Sequence, residues 1–191
     1  MAYVRNFFPW IAVSVLIGVI DVRYALTVGL VLAVALAVGQ RRAGWGWDAL
    51  IIEVCAAVYF GACAGAAFAV SDTAFLERYA AAGASLWLAA VAWVSLAARR
   101  PFTLGIARMQ VEREHWDSPV FRRINTVITM VWAAAFTVEG AGSVWLHHSL
   151  PDDSGLRTGF TVACIVVPTL FTVRYPEVAR ARAVAAATKA A

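Results

Sequence analysis

Apolar residues in this chain come in long, nearly unbroken runs rather than in stripes. The runs cover about 6–22, 24–40, 49–70, 74–97, 125–146 and 157–174. Each approaches the roughly 20 residues that a helix needs to cross the hydrocarbon core. Only helices and closed barrels satisfy the backbone in lipid, and barrel strands alternate apolar with polar, which these runs do not. The pattern predicts an all-α, polytopic helical membrane protein of about six transmembrane helices, forming a single integral membrane domain. The first link, Asp21-Val22-Arg23, is very short. A single helix from 6 to 40 would be about 50 Å long, too long for one crossing, so a tight hairpin is expected. No small-x-small cleavage site follows the first run, which argues against a removable signal peptide.

Composition supports this reading. The chain has 191 residues, 62% hydrophobic and 15% charged, against about a quarter charged in soluble domains. Charge then sets the orientation. Threading the six runs through a bilayer puts thirteen of the sixteen basic residues on one side. They are Arg5, Arg41, Arg42, Arg99, Arg100, Arg108, Arg113, Arg122, Arg123, Arg174, Arg180, Arg182 and Lys189, against Arg23, Arg78 and Arg157 opposite. By the positive-inside rule both termini are cytoplasmic, with an inner loop at 99–123 and a cytoplasmic tail at 175–191. The net charge of +4 is then a topology signal, and no basic face on a soluble domain exists to bind nucleic acid. Cys55, Cys63 and Cys164 fall inside the runs without a CxxC pair, so buried thiols rather than disulfides are expected.

Two stretches resemble each other. The second run ends in Gln40-Arg41-Arg42 and the fourth in Ala98-Arg99-Arg100; Trp47-Asp48 and Trp116-Asp117 follow, each before another run. Runs 2–3 and 4–5 could form a parallel repeat of the kind found in transporters. Basic pairs and interfacial Trp are also general membrane-protein features. The second unit is longer: Trp47 lies five positions after Arg42, and Trp116 lies sixteen positions after Arg100. The extra segment puts Phe102, Ile106 and Met109 on one helical face. Pro101 suits a first turn. A short amphipathic helix on the inner leaflet is expected, either as a docking surface or as a plain connector.

Around this loop the chain resembles a group of uncharacterised bacterial multi-pass inner-membrane proteins, loosely grouped with intracellular septation protein A. The resemblance rests on Arg99 to Arg108, on Glu114-His115-Trp116-Asp117-Ser118-Pro119-Val120-Phe121, and on Asn125, Thr129 and Trp132. It covers about 35 residues. It implies a small protein of the bacterial cytoplasmic (inner) membrane and transfers no catalytic residue.

Two carboxylates fall inside runs, and an intramembrane ionisable group is a functional candidate. Glu53 lies near the cytoplasmic end of its run; Glu139 lies deeper and is followed by Gly140, Ala141, Gly142 and Ser143, which let a neighbouring helix approach. A proton- or cation-linked site is the functional reading; a hydrogen bond to a neighbouring helix is the plain one. Gly61 and Gly65 form a GxxxG close-packing motif, serving an internal helix pair or a homodimer. His147, His148, Asp152 and Asp153 offer metal-ligand types, but adjacent residues at a helix end diverge, and no metal or other cofactor is expected. Nucleophile-elbow, zincin and phosphate-loop motifs are absent. His115 beside Glu112, Glu114 and Asp117 reads as a solvated cluster at the headgroups rather than an acid–base set.

The leading expectation is a structural or envelope-biogenesis protein, acting through helix packing and the inner-loop residues Arg99, Arg100, Phe102, Arg108, Trp116, Asp117 and Asn125. Its expected partners are the bilayer, anionic lipid headgroups at that loop, and a second copy or another cytoplasmic or membrane protein. The alternative is a small transporter or channel using Glu139 or Glu53; a membrane enzyme is third.

Overall fold

A computed structural model describes residues 7–150 and 153–190. Arg5 and Asp152 lie outside this range. The described chain is entirely helical: α1 (Phe8–Leu16), α2 (Val22–Arg42), α3 (Ile51–Ala69), α4 (Ala74–Ala97), α5 (Thr103–Arg108), α6 (Pro119–Ser149) and α7 (Ser154–Ala190). Short 3-10 turns at Trp47–Ala49 and Arg113–His115 complete it. Five helices, α2, α3, α4, α6 and α7, are long and apolar enough to cross a membrane. They leave large apolar side chains facing outward, Val31, Val58, Val94 and Val167 among them. A multi-pass membrane protein follows from that combination, since an exposed apolar surface of this kind suits lipid rather than water.

The first expected span departs from its prediction. Its described part is a nine-residue helix, about 14 Å long, too short to cross. Pro9 sits in its first turn, where a missing N–H does no harm. The expected hairpin is present: the chain turns through residues 17–20, and the Asp21 carboxylate then caps α2 by accepting from the Arg23 amide at 2.8 Å. Beyond the sixth expected span the chain stays helical. Residues 175–190 continue α7 as one helix of 37 residues, about 55 Å long, which outruns a bilayer. Pro168 and Pro176 lie within it.

Because the chain reverses at each loop, Arg41, Arg42, Arg99, Arg100, Arg122, Arg123 and Arg174 share one end, called here the basic end. Arg23 and Arg157 mark the far end. Packing is strongest within two antiparallel hairpins, α2 with α3 and α4 with α6; α7 lies along α6, and α3 touches α4 over a shorter stretch. Tyr59 donates to the Ala80 carbonyl at 2.6 Å and the Trp87 indole to the Cys55 carbonyl at 3.1 Å, joining the hairpins. Helix α1 is the wedge between them. Its Trp10 packs on Phe60 at 4.7 Å, and the preceding Phe7 stacks on Trp132 at 5.1 Å. Gly29 of α2 makes room for this wedge, since a Cβ there would run into Val13.

The repeat seen in sequence is only local. Both α2 and α4 end in a Schellman turn. In α2 the left-handed residue is Gly44 (φ 86°), with Trp45 N–H bonded to the Gln40 carbonyl. In α4 it is Arg99 (φ 56°), with Arg100 N–H bonded to the Ser95 carbonyl. Gly44 therefore corresponds to Arg99. The Arg41–Arg42 pair belongs to the last turn of α2, whereas Arg99–Arg100 lies beyond the end of α4. The two basic pairs are not equivalent positions.

Candidate functional site

The basic end is closed by interlocked loops. Helix α5 presses against the 3-10 turn at Trp47–Ala49, and Gly105 is what permits it: a Cβ there would collide with the Asp48 carbonyl group. The Arg108 guanidinium donates to Asp48 Oδ2 at 3.0 Å across the same contact. It also lies over the Trp116 ring at 5.3 Å, with Arg113 at 5.5 Å. On its other side α5 is tied to α6. Thr103 Oγ1 lies 2.8 Å from Thr129 Oγ1 and 3.1 Å from the Asn125 carbonyl. A hydroxyl has one proton for these two acceptors, so Thr129 donates in one of the pairings. The Phe102 amide donates to Ser95 Oγ at 3.2 Å.

This changes the expected role of the inner-loop helix. Phe102, Thr103 and Ile106 are buried, and only Met109 of its apolar face stays open. The helix plugs the end of the bundle instead of lying on the leaflet. Its apolar face found protein because Gly105 allows backbone-to-backbone approach, a contact that periodicity alone does not reveal. Beside the plug is a cleft of about 560 Å³ lined by Gln110, Val111, Glu112, His115, Phe121 and Arg180, with Ser118, Val120 and Ile124.

Glu53 follows, in sequence, the Trp47–Ala49 turn that α5 contacts. It is fully buried in the first turn of α3 and accepts from Gln40 Nε2 of α2 at 2.8 Å. A negative charge there also meets the favourable end of the helix dipole. Glu139 sits in the far half of α6, 6% exposed. Its Oε1 accepts from Ser143 Oγ at 3.0 Å and from Thr161 Oγ1 of α7 at 3.1 Å. Its Oε2 is buried without a hydrogen-bond partner. The small residues after it do what the sequence suggests. A Cβ on Gly140 would come within 2.6 Å of Leu86 of α4, and one on Gly142 would meet Phe160 of α7. The two glutamates are therefore separate features.

Other expected residues divide clearly. Asn125 is buried and bonds the Phe121 carbonyl through Nδ2 at 2.9 Å. Asp117 pairs with Arg122 at 2.9 Å on an exposed surface. Arg99 and Arg100 are exposed. Gly61 and Gly65 do not serve an internal close pair: a Cβ on Gly61 would make ordinary contact with Leu30, and one on Gly65 would meet nothing. No described cluster of three His, Cys, Asp or Glu side chains could hold a metal, and the three cysteines are free. Sequence reasoning missed the roles of Gln40, Thr103, Gly105 and Thr161, and read Ser143 only as a small residue. Gln40 carried a signal, a polar side chain in the last turn of an apolar run. Thr161 carried none.

Where the two hairpins meet α1 there is a void of about 10 Å³, lined by Phe7, Ile52, Cys55, Leu88, Val91, Phe102 and Phe136. That is at or below the space one water needs. No protein-family model, curated protein or solved structure matches the chain.

Proposed function

We propose that this is a structural, envelope-biogenesis protein of the bacterial cytoplasmic membrane, septation-protein-like, with its working surface at the basic end facing the cytoplasm. The interlock of Gly105, Asp48 and Arg108 carries this reading. It turns a long loop, which would otherwise be mobile, into a fixed platform bearing a cleft. Such rigidity is useful for presenting a surface to a partner. The junction between the hairpins holds a void of only about 10 Å³ with an apolar lining, which does not favour a substrate site between repeats. One observation favours the transporter reading, the carboxylate of Glu139 without a counter-charge.

Deletion of the gene, scored by cell length and envelope integrity, tests the proposal. Wild-type protein and Glu139→Gln should both restore a normal phenotype. A cleft variant carrying Val111→Glu and Arg180→Glu, at equal abundance, should not. Restoration by the cleft variant and failure of Glu139→Gln, together with solute flux in proteoliposomes, would sink the structural reading and leave the transporter.

A further inference from the structure

We propose that Glu139 is the centre of a site for one small monovalent metal cation, sodium, taken up from the far end of the bundle. The argument starts from charge. An ionised carboxylate inside the membrane is costly without an opposite charge, and no ion pair among the described residues includes Glu139. The groups around it do not supply one. Helix α6 offers Ser143 and, a turn further, His147, whose Nδ1 is engaged with the Ser143 carbonyl at 2.8 Å. Helix α7 offers Thr161 and Cys164, the latter within electrostatic range. Helix α4 brings the Leu86 side chain and, toward the surface, Tyr79, whose ring lies 6.0 Å from that of His147. Arg157 stands one turn before Thr161, toward the helix start, and forms no ion pair with the glutamate.

The donor chemistry narrows the ligand. Glu139 Oε2 is free of protein partners, and Ser143 Oγ and Thr161 Oγ1 both sit about 3 Å from Oε1. These are hard oxygen donors, which do not favour a soft transition metal. A single carboxylate balances one positive charge, so a divalent ion would remain uncompensated. Direction follows from packing. Toward the far end, Ser143 and His147 continue the same helical face. Toward the basic end that face carries Phe136 and Trp132, with Phe7 stacked against Trp132 and 6.1 Å from Phe136. The aromatic stack closes that side.

Thermal unfolding of the purified full-length protein in micelles provides the test, with sodium exchanged for choline at constant ionic strength and fixed pH. The wild-type midpoint should rise by several degrees on adding sodium, and Glu139→Gln should lose that response. A wild type indifferent to sodium, or a Glu139→Gln variant that keeps the full response, overturns the site. Should that variant fail to fold, carbodiimide modification of wild-type Glu139, mapped by mass spectrometry, replaces it. Several-fold protection by sodium at fixed pH supports the proposal, and unchanged modification overturns it. In sealed vesicles the protecting ion should act from the far side; equal protection from the basic side overturns the stated direction.

Discussion

Glu53 and Glu139 are both buried glutamates on apolar helices, and they differ in what surrounds them. Glu53 stands at a helix start, where a negative charge meets the favourable end of the dipole, and receives the Gln40 amide. Glu139 stands two-thirds of the way along α6, far from either helix end, and receives two hydroxyls on one oxygen. Burial ranks them equally; position along the helix and the kind of donor separate them.

The hardest blow to this contrast is Gly105→Leu. Its side chain would enter the Asp48 backbone, which cannot rotate away as a side chain can. Overpacking of this kind costs about 3 kcal/mol, measurable as a loss of stability in denaturant. Gly140→Leu at the far half should cost less, about 2 kcal/mol, because its two nearest contacts are Leu86 side-chain atoms and the Leu86 backbone nitrogen lies farther off, at 3.0 Å. Equal costs would mean that the basic end is no more rigid than the far end.

Gln40→Leu comes next. It removes the donor at 2.8 Å from Glu53 and should destabilise by about 2 kcal/mol, the usual penalty for stranding a buried acceptor. Thr161→Val removes one of two donors to Glu139. Interhelical hydrogen bonds in membranes average about 0.6 kcal/mol, so its effect on stability should be smaller by a factor of about three. If the order reverses, Glu139 is the better-anchored glutamate. Arg108→Ala follows at about 0.5 kcal/mol, because its ion pair with Asp48 is partly exposed and such pairs contribute little.

The helical membrane fold was legible from run length, and the hairpin at Asp21 from the excessive length of one continuous helix. Run length could not show that α1 is short, since apolarity continues through residues 17–20 while the helix does not. Periodicity put Phe102, Ile106 and Met109 on one face of α5; protein covers Phe102 and Ile106, and Met109 stays open. Periodicity gives a face; it does not say whether lipid or protein covers it. Arg23, one of three basic residues on the far side, illustrates the same limit. It caps α3 by donating to the carbonyls of Ala67, Val70 and Ser71 at 2.9, 3.1 and 3.3 Å, favourable at a helix C-terminus. A charge tally treats it as an exception, whereas the fold uses it as a cap. Glu139 was legible as a residue, but its partner Thr161, 22 positions on, depends on how α7 docks.

The smallest effect is expected at Gly65. A GxxxG motif brings helices close when both glycines face a neighbour. In α3, Gly61 contacts Leu30 at ordinary distance and Gly65 faces open space. Gly65→Leu should therefore change monomer stability by no more than about 0.5 kcal/mol. It even exchanges a poor helix former for a good one. Gly29→Leu, one helix away, should cost several times as much, because the space there is already filled by Val13 and Phe60. A loss at Gly65 that matched the loss at Gly29, and that disappeared on dilution of the protein in detergent, would mean that a second copy occupies the open face of α3. The two halves would then differ in a further respect, one closed by its own loop and the other by a partner.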